Sequence, residues 1–167
     1  WCTRCGTGLS SHEMAQGYAQ VTDTAVTWKF QISNDKSQIK TYLLAWTTTP
    51  WSTISTMGLS VGPEFTYVKA KVGLPAQAGD EYYIVVKERA EAILSGSTPQ
   101  YEIVEEIPGS KLVGMKYEPL IDMGGPYQVY PADYVELTDG TGIVTINGAY
   151  GEIDMEQAKK HKLPIVM

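Results

Sequence analysis

Residues 26–32, Val-Thr-Trp-Lys-Phe-Gln-Ile, alternate apolar and polar without a break, the period-2 pattern of a strand with one buried face. Asn34-Asp35-Lys36-Ser37 carries turn chemistry and predicts a hairpin into a second strand over residues 41–46. Residues 58–61, 65–72 and 81–86 read as the next strands, with the Gly, Ala and Pro-rich stretch 73–80 as a flexible loop. Residues 88–94 have helical composition and spacing, and Gly96 is expected to stop that helix. Alternation returns over 101–107 and ends at Pro108-Gly109. Short strands are expected at 115–117, 128–130, 134–137 and 142–146, and a final helix at 154–160. Many short strands with two small helices predict a mainly β fold with peripheral helices, closed or nearly closed into a β-barrel.

The second strand runs into Trp46-Thr47-Thr48-Thr49-Pro50-Trp51. Three threonines, stopped by a proline and framed by two tryptophans, offer hydroxyls and backbone groups to a small ligand. Threonine also favours strands, so the hexapeptide taken alone reads first as an edge strand. A second constellation is Asp139-Gly140-Thr141-Gly142-Ile143-Val144, followed by Asn147-Gly148-Ala149-Tyr150-Gly151 and Asp154. Its first glycines suit a tight turn, and Gly148 and Gly151 would let backbone approach a ligand. Asp154 sits where the last helix should begin. It is either a first-turn acid serving the helix or a carboxylate for a cationic ligand group, and the residues alone leave both open.

Composition narrows the options. A chain of 167 residues with 43% hydrophobic content is the size of one globular domain with a substantial core. It has no apolar run of about 18 residues to span a membrane, and no secretory leader is read in these residues. It begins Trp1-Cys2 and stops in mid-pattern, as a piece cut from a longer polypeptide would. The net charge of −6, with no basic block, argues against an extended nucleic-acid grip and leaves room only for a small, local contact. Cys2-Thr3-Arg4-Cys5 reads as half of a structural zinc site, with two idle thiols as the alternative; His12 is the sole further ligand nearby. Gly58-Leu59-Ser60-Val61-Gly62 has G-x-S-x-G form without the strand-turn-helix context of a nucleophile. His12-Glu13 does not continue to H-E-x-x-H, because Gln16 stands at the second histidine's place. His12 and His161 are both expected at the surface, so neither histidine nor a covalent nucleophile is a supported catalyst.

Together the two constellations resemble the editing insertion of class I aminoacyl-tRNA synthetases, in its isoleucyl form. The threonine hexapeptide carries no arginine before the proline, unlike the valyl and leucyl forms. Cys2-Thr3-Arg4-Cys5-Gly6-Thr7 resembles the zinc-ribbon half before that insertion. Gly114-Met115-Lys116-Tyr117-Glu118-Pro119-Leu120, Ala132-Asp133-Tyr134-Val135 and Gly140-Thr141-Gly142-Ile143-Val144 fit as well. The resemblance implies residues 1–17 as a half zinc ribbon and entry linker, and residues 18–167 as an editing domain of closed-barrel type. It implies a proofreading part of a cytoplasmic isoleucine–tRNA ligase that hydrolyses valyl-tRNA, because one methylene gives the synthetic site only about 1–3 kcal/mol of discrimination. Thr47, Thr48 and Thr49 would border the aminoacyl group and terminal adenosine, and Asp154 would hold the α-ammonium while water attacks the ester. Trp46, Trp51, Thr56, Thr145, Asn147 and Gly148 would complete the substrate pocket.

The implied partners are the tRNA acceptor end with its valine moiety and the rest of the synthetase, with no membrane. Editing would need no cofactor, the parent would use ATP and Mg, and Cys2 and Cys5 would share a structural zinc completed outside this chain. Four departures stand out: Thr145 where the family has a histidine, Asn147-Gly148 for Ala-Pro, Ser52-Thr53-Ile54 for Thr-Leu-Pro, and Thr56 for an asparagine. They leave an alternative, a domain that binds the acceptor end with relaxed specificity or without efficient hydrolysis. A spacer without a ligand is the third reading, and it leaves the threonine ledge unexplained.

Overall fold

The computed structural model describes residues 1–33, 38–73, 79–97 and 100–166. Eight strands follow in chain order: β1 (Val26–Gln31), β2 (Thr41–Thr47), β3 (Gly58–Val61), β4 (Thr66–Gly73), β5 (Asp80–Val86), β6 (Tyr101–Pro108), β7 (Gln128–Pro131) and β8 (Ile143–Ile146). The helices are α1 (Ser11–Ala15), α2 (Ala90–Ser97), α3 (Gly109–Leu112) and α4 (Glu152–His161), with 3-10 turns at Pro50–Ser55 and Lys87–Arg89. None is long and apolar enough to cross a membrane.

The sheet runs β6-β4-β5-β2-β8-β3-β7, with β1 added antiparallel to β2. β2 is its centre. β1 occupies one edge of β2, while β5 at Thr41–Leu43 and β8 at Trp46 share the other, both parallel. The side chains of β2 therefore divide between two cores. Leu43 and Ala45 join Phe30, Leu59, Tyr67, Ile84 and Ile143 on one face. Leu44 joins Val68, Ala70, Val72 and Val85 on the other, where Ala90 and Leu94 of α2 cover it. Successive residues point to opposite faces of a strand, so a strand buried on both sides loses its apolar–polar alternation. That accounts for the continuous run Tyr42-Leu43-Leu44-Ala45.

The sheet is a curled half-barrel; its strand ladders do not show the closed barrel that was expected. Segment 115–117, expected as a strand, contributes only single bridges, Ile32 to Tyr117 and Lys116 to Gln128. Residues 134–137 are not a strand either. Tyr134 donates its hydroxyl to Ser60 Oγ at 2.7 Å and Val135 is buried, so their apolar character serves a packed loop. Gly96 does not stop α2, which continues to Ser97, and α4 starts at Glu152 rather than Asp154. The entry segment is less loop-like than expected, because α1 is closed by a capping box between Ser10 and Glu13. The 34–37 turn and residues 74–78 of the predicted flexible loop lie outside the described residues.

Candidate functional site

β2 ends at Thr47, Thr49 occupies the cap position of the following 3-10 turn, and Pro50 takes its first position. Proline suits that place because its missing N–H is not needed there. The turn returns the chain to β8 through Met57 N–H, which donates to Ile146 O at 3.1 Å. Trp46 pairs with Val144 in the parallel β2–β8 contact. The C-terminal ends of β2 and β8, and the turn between β2 and β3, thus meet at one place.

A connected set of hydroxyls fills it. Thr47 Oγ1 accepts from Thr49 N–H at 3.1 Å and lies 3.2 Å from Thr49 Oγ1. Thr49 Oγ1 is 3.1 Å from Ser52 Oγ, which donates to Thr49 O at 2.8 Å. Asn147 continues the chain by donating from Nδ2 to Ser52 Oγ at 3.3 Å and to Thr145 Oγ1 at 3.0 Å. Its Oδ1 accepts from Thr56 Oγ1 at 2.7 Å. Ser52, Thr56, Thr145 and Asn147 are all at most 4% exposed. Unpaired polar groups at that depth would be costly, and this set satisfies itself.

Asp154 is reached through the same residue. Its Oδ2 accepts the backbone N–H of Asn147 at 3.0 Å. No lysine or arginine forms an ion pair with it among the described residues. Burial raises its carboxyl above the ordinary aspartate range, and the Asn147 N–H opposes that shift without cancelling it. The structure thus places a half-buried acid without a cation three hydrogen bonds from Thr49. Asp154 is a first-turn residue, yet its hydrogen bond runs to the loop before α4 rather than to the helix.

The other candidates divide. Trp46 lines a cavity of about 210 Å³ with Tyr134, Glu136, Asp139 and residues 140–144, and its ring lies against Gly140. Trp51 is 66% exposed, and Thr48 is also exposed. Gly148 serves packing: a Cβ there would meet Ala158 Cβ at 2.8 Å, so the glycine lets α4 close onto β8. Cys2 and Cys5 stand apart in an exposed loop where Cys5 N–H donates to Cys2 Sγ at 3.3 Å. That bond heads the causes that lower the Cys2 thiol, favouring the thiolate a metal requires. No cluster of three metal-binding side chains occurs among the described residues. His161, expected at the surface, instead lies half-buried with its ring 4.4 Å from that of Tyr130, because the end of α4 folds down onto β7.

No protein-family model matches the chain. It is 40% identical over 170 residues to the isoleucine–tRNA ligase of Clostridium tetani and 41% to that of Clostridium novyi, covering 99% of this chain in each case. The ligase of Chlamydia trachomatis serovar L2 is 37% identical over 98% of it. By sequence, its kin are isoleucine–tRNA ligases.

The chain spans about 15% of the length of these relatives. Its fold is that of synthetase editing domains. The Plasmodium knowlesi cytosolic leucyl-tRNA synthetase editing domain superposes with a TM-score of 0.72 over 88% of this chain and 66% of that one, at 14% identity. The GlLeuRS-CP1 crystal structure gives 0.69 over 82% and 59%, at 21% identity. Against this kinship the departures at 56 and 147 turn out to face each other, since Thr56 hydrogen-bonds the Asn147 amide. Ser52 was not among the residues expected in the site, although it heads one of the four departures from the family pattern.

Proposed function

We propose that this chain is the proofreading domain of an isoleucyl-tRNA synthetase and that it hydrolyses valyl-tRNA. The observation that carries the proposal is the hydrogen-bonded path from Thr47 through the exposed Thr49 and the buried Ser52 and Asn147 to a half-buried acid that has no cation among the described residues. An α-ammonium is the charge that such a carboxylate lacks, and pairing it there would fix the ester carbonyl beside the hydroxyl rim. Catalysis then comes from positioning and electrostatics, with water as the nucleophile. The absence of basic blocks agrees with a tRNA contact limited to the acceptor end.

Asn147 also supports a pocket that remains small. Thr145 has less bulk than a histidine, but the buried Asn147 amide packs behind it at 3.0 Å and holds its side chain in place without itself reaching a ligand. Two bridges through residues 116 and 117 favour reading the half-barrel as one closed between β1 and β7. The half zinc ribbon is read from the Cys2–Cys5 loop: its N–H to sulfur bond suits a thiolate at Cys2, and the remaining ligands would come from the rest of the synthetase. Zinc would there hold the entry segment in place. The full-length synthetase should release valine from valyl-tRNA, and Asp154→Ala should abolish that release while leaving aminoacylation intact. Equal release by wild type and Asp154→Ala contradicts the proposal.

A further inference from the structure

We infer that Ser52 and Asn147 are positioning residues, Ser52 setting the hydrogen-bond direction of the threonine rim and Asn147 holding Ser52, so that Thr47 and Thr49 keep acceptor positions for the site; the inference rests on the proofreading reading above. Ser52 has one hydroxyl hydrogen, and the Thr49 carbonyl takes it at 2.8 Å. Ser52 Oγ can then only accept, from Asn147 Nδ2 at 3.3 Å and from Thr49 Oγ1 at 3.1 Å. The Thr49 hydrogen is thereby committed, so Thr49 Oγ1 can only accept from Thr47 Oγ1 at 3.2 Å. That commits the Thr47 hydrogen in turn, while Thr47 Oγ1 also accepts the Thr49 N–H at 3.1 Å. A hydroxyl offers one donor and two acceptor positions. Ser52 is therefore full, and Thr47 and Thr49 each keep one acceptor position and no hydrogen to give.

Asn147 holds the buried end of this chain. Asn147 gives both Nδ2 hydrogens, to Ser52 and Thr145, and takes the Thr56 hydrogen on Oδ1, which fixes which way its amide faces. At 3% exposure its side chain cannot touch a ligand and must act through its neighbours. The same residue supplies the N–H that holds Asp154 Oδ2. One residue thus touches both halves of the site, the rim through its side chain and Asp154 through its backbone N–H. Two acceptors side by side suit a water molecule, which brings two hydrogens and presents its oxygen to the ester. They do not suit a developing oxyanion, which needs donors. The rim accordingly aims the nucleophile and does not form the oxyanion hole.

The test uses the full-length synthetase with valyl-tRNA and the variants Asn147→Leu, similar in size without the amide, and Ser52→Ala, which removes one oxygen. Both should lower kcat for deacylation at least about tenfold, the loss that a single buried hydrogen bond would give, with KM within about twofold of wild type. Ser52→Thr, which restores the hydroxyl, should recover most of the rate. Wild-type kcat in both variants overturns the inference, as does a loss carried wholly by KM, which would mean direct contact with substrate. Hydrogen exchange followed by mass spectrometry gives a readout that needs no activity. The Asn147 N–H should exchange at least about tenfold faster in Asn147→Leu, and unchanged exchange overturns the positioning role. Wild-type synthetase that does not hydrolyse valyl-tRNA would instead sink the proofreading reading, and the exchange measurement still decides whether Asn147 orders the site.

Discussion

Replacing Asp154 by asparagine should separate stability from activity. Burial raises the Asp154 carboxyl in the folded chain, so its ionised form is disfavoured there relative to the unfolded chain. The linkage follows from that sign. The stabilising contribution of Asp154 is complete below the unfolded-state value and is lost as pH rises through the raised folded value. At neutral pH the ionised side chain is therefore a burden on folding, retained against its cost. Asp154→Asn removes the buried charge and keeps an oxygen to accept the Asn147 N–H, now held at 3.0 Å. Asp154→Ala removes the acceptor as well, leaving an N–H unsatisfied at about 1–3 kcal/mol. At about 2–4 °C per kcal/mol for a chain of this size, the alanine variant should melt about 2–12 °C below wild type. The asparagine variant should melt at or above wild type at pH 7. Both should lose valyl-tRNA deacylation, because removing one partner of a buried charge pair costs about 2–5 kcal/mol, or roughly 30-fold to several thousand-fold. Thermal melts of the three chains, with single-turnover deacylation by the matching full-length enzymes, check this. An asparagine variant that melts well below wild type yet still hydrolyses valyl-tRNA would refute the reasoning.

Gly148→Ala should destabilise by about 1–3 kcal/mol and slow deacylation, since the new methyl meets Ala158 Cβ at 2.8 Å and pushes α4 outward. Gly151→Ala meets nothing nearer than 3.7 Å and should be tolerated in both assays. Tyr67→Phe should cost about 1–3 kcal/mol in urea unfolding, because the wholly buried hydroxyl donates to Gly142 O at 2.6 Å and accepts from Gly62 N–H at 3.0 Å. The full-length synthetase should contain zinc by elemental analysis and lose it in Cys2→Ser/Cys5→Ser; equal zinc in both proteins contradicts the half-ribbon assignment.

Strands with clear periods were legible because the physics that makes them is local. Val26–Gln31 alternates because one face of β1 is wet, and Gly58–Val61 and Gln128–Pro131 are bounded by glycines and prolines. Residues 134–137 carry a strand's pattern without forming one, because a loop pinned by Tyr134 to Ser60 buries the same side chains that a strand would. The helix start at Ser11 is written locally in Ser10 and Glu13, the two partners of its capping box. In the site, the threonines and Asp154 were visible as residue types, but their connection was not. It depends on β8 lying parallel to β2, a pairing between residues far apart in the chain that no local pattern encodes. Asn147 was expected to line the substrate pocket, and its buried place at the centre of the network emerges only from that pairing.

Deacylation of valyl-tRNA and isoleucyl-tRNA, measured side by side with the full-length synthetase, tests the central claim most directly. Rapid release of valine with isoleucine spared is the predicted result. Release of neither amino acid, in an enzyme that still charges its tRNA, would contradict it.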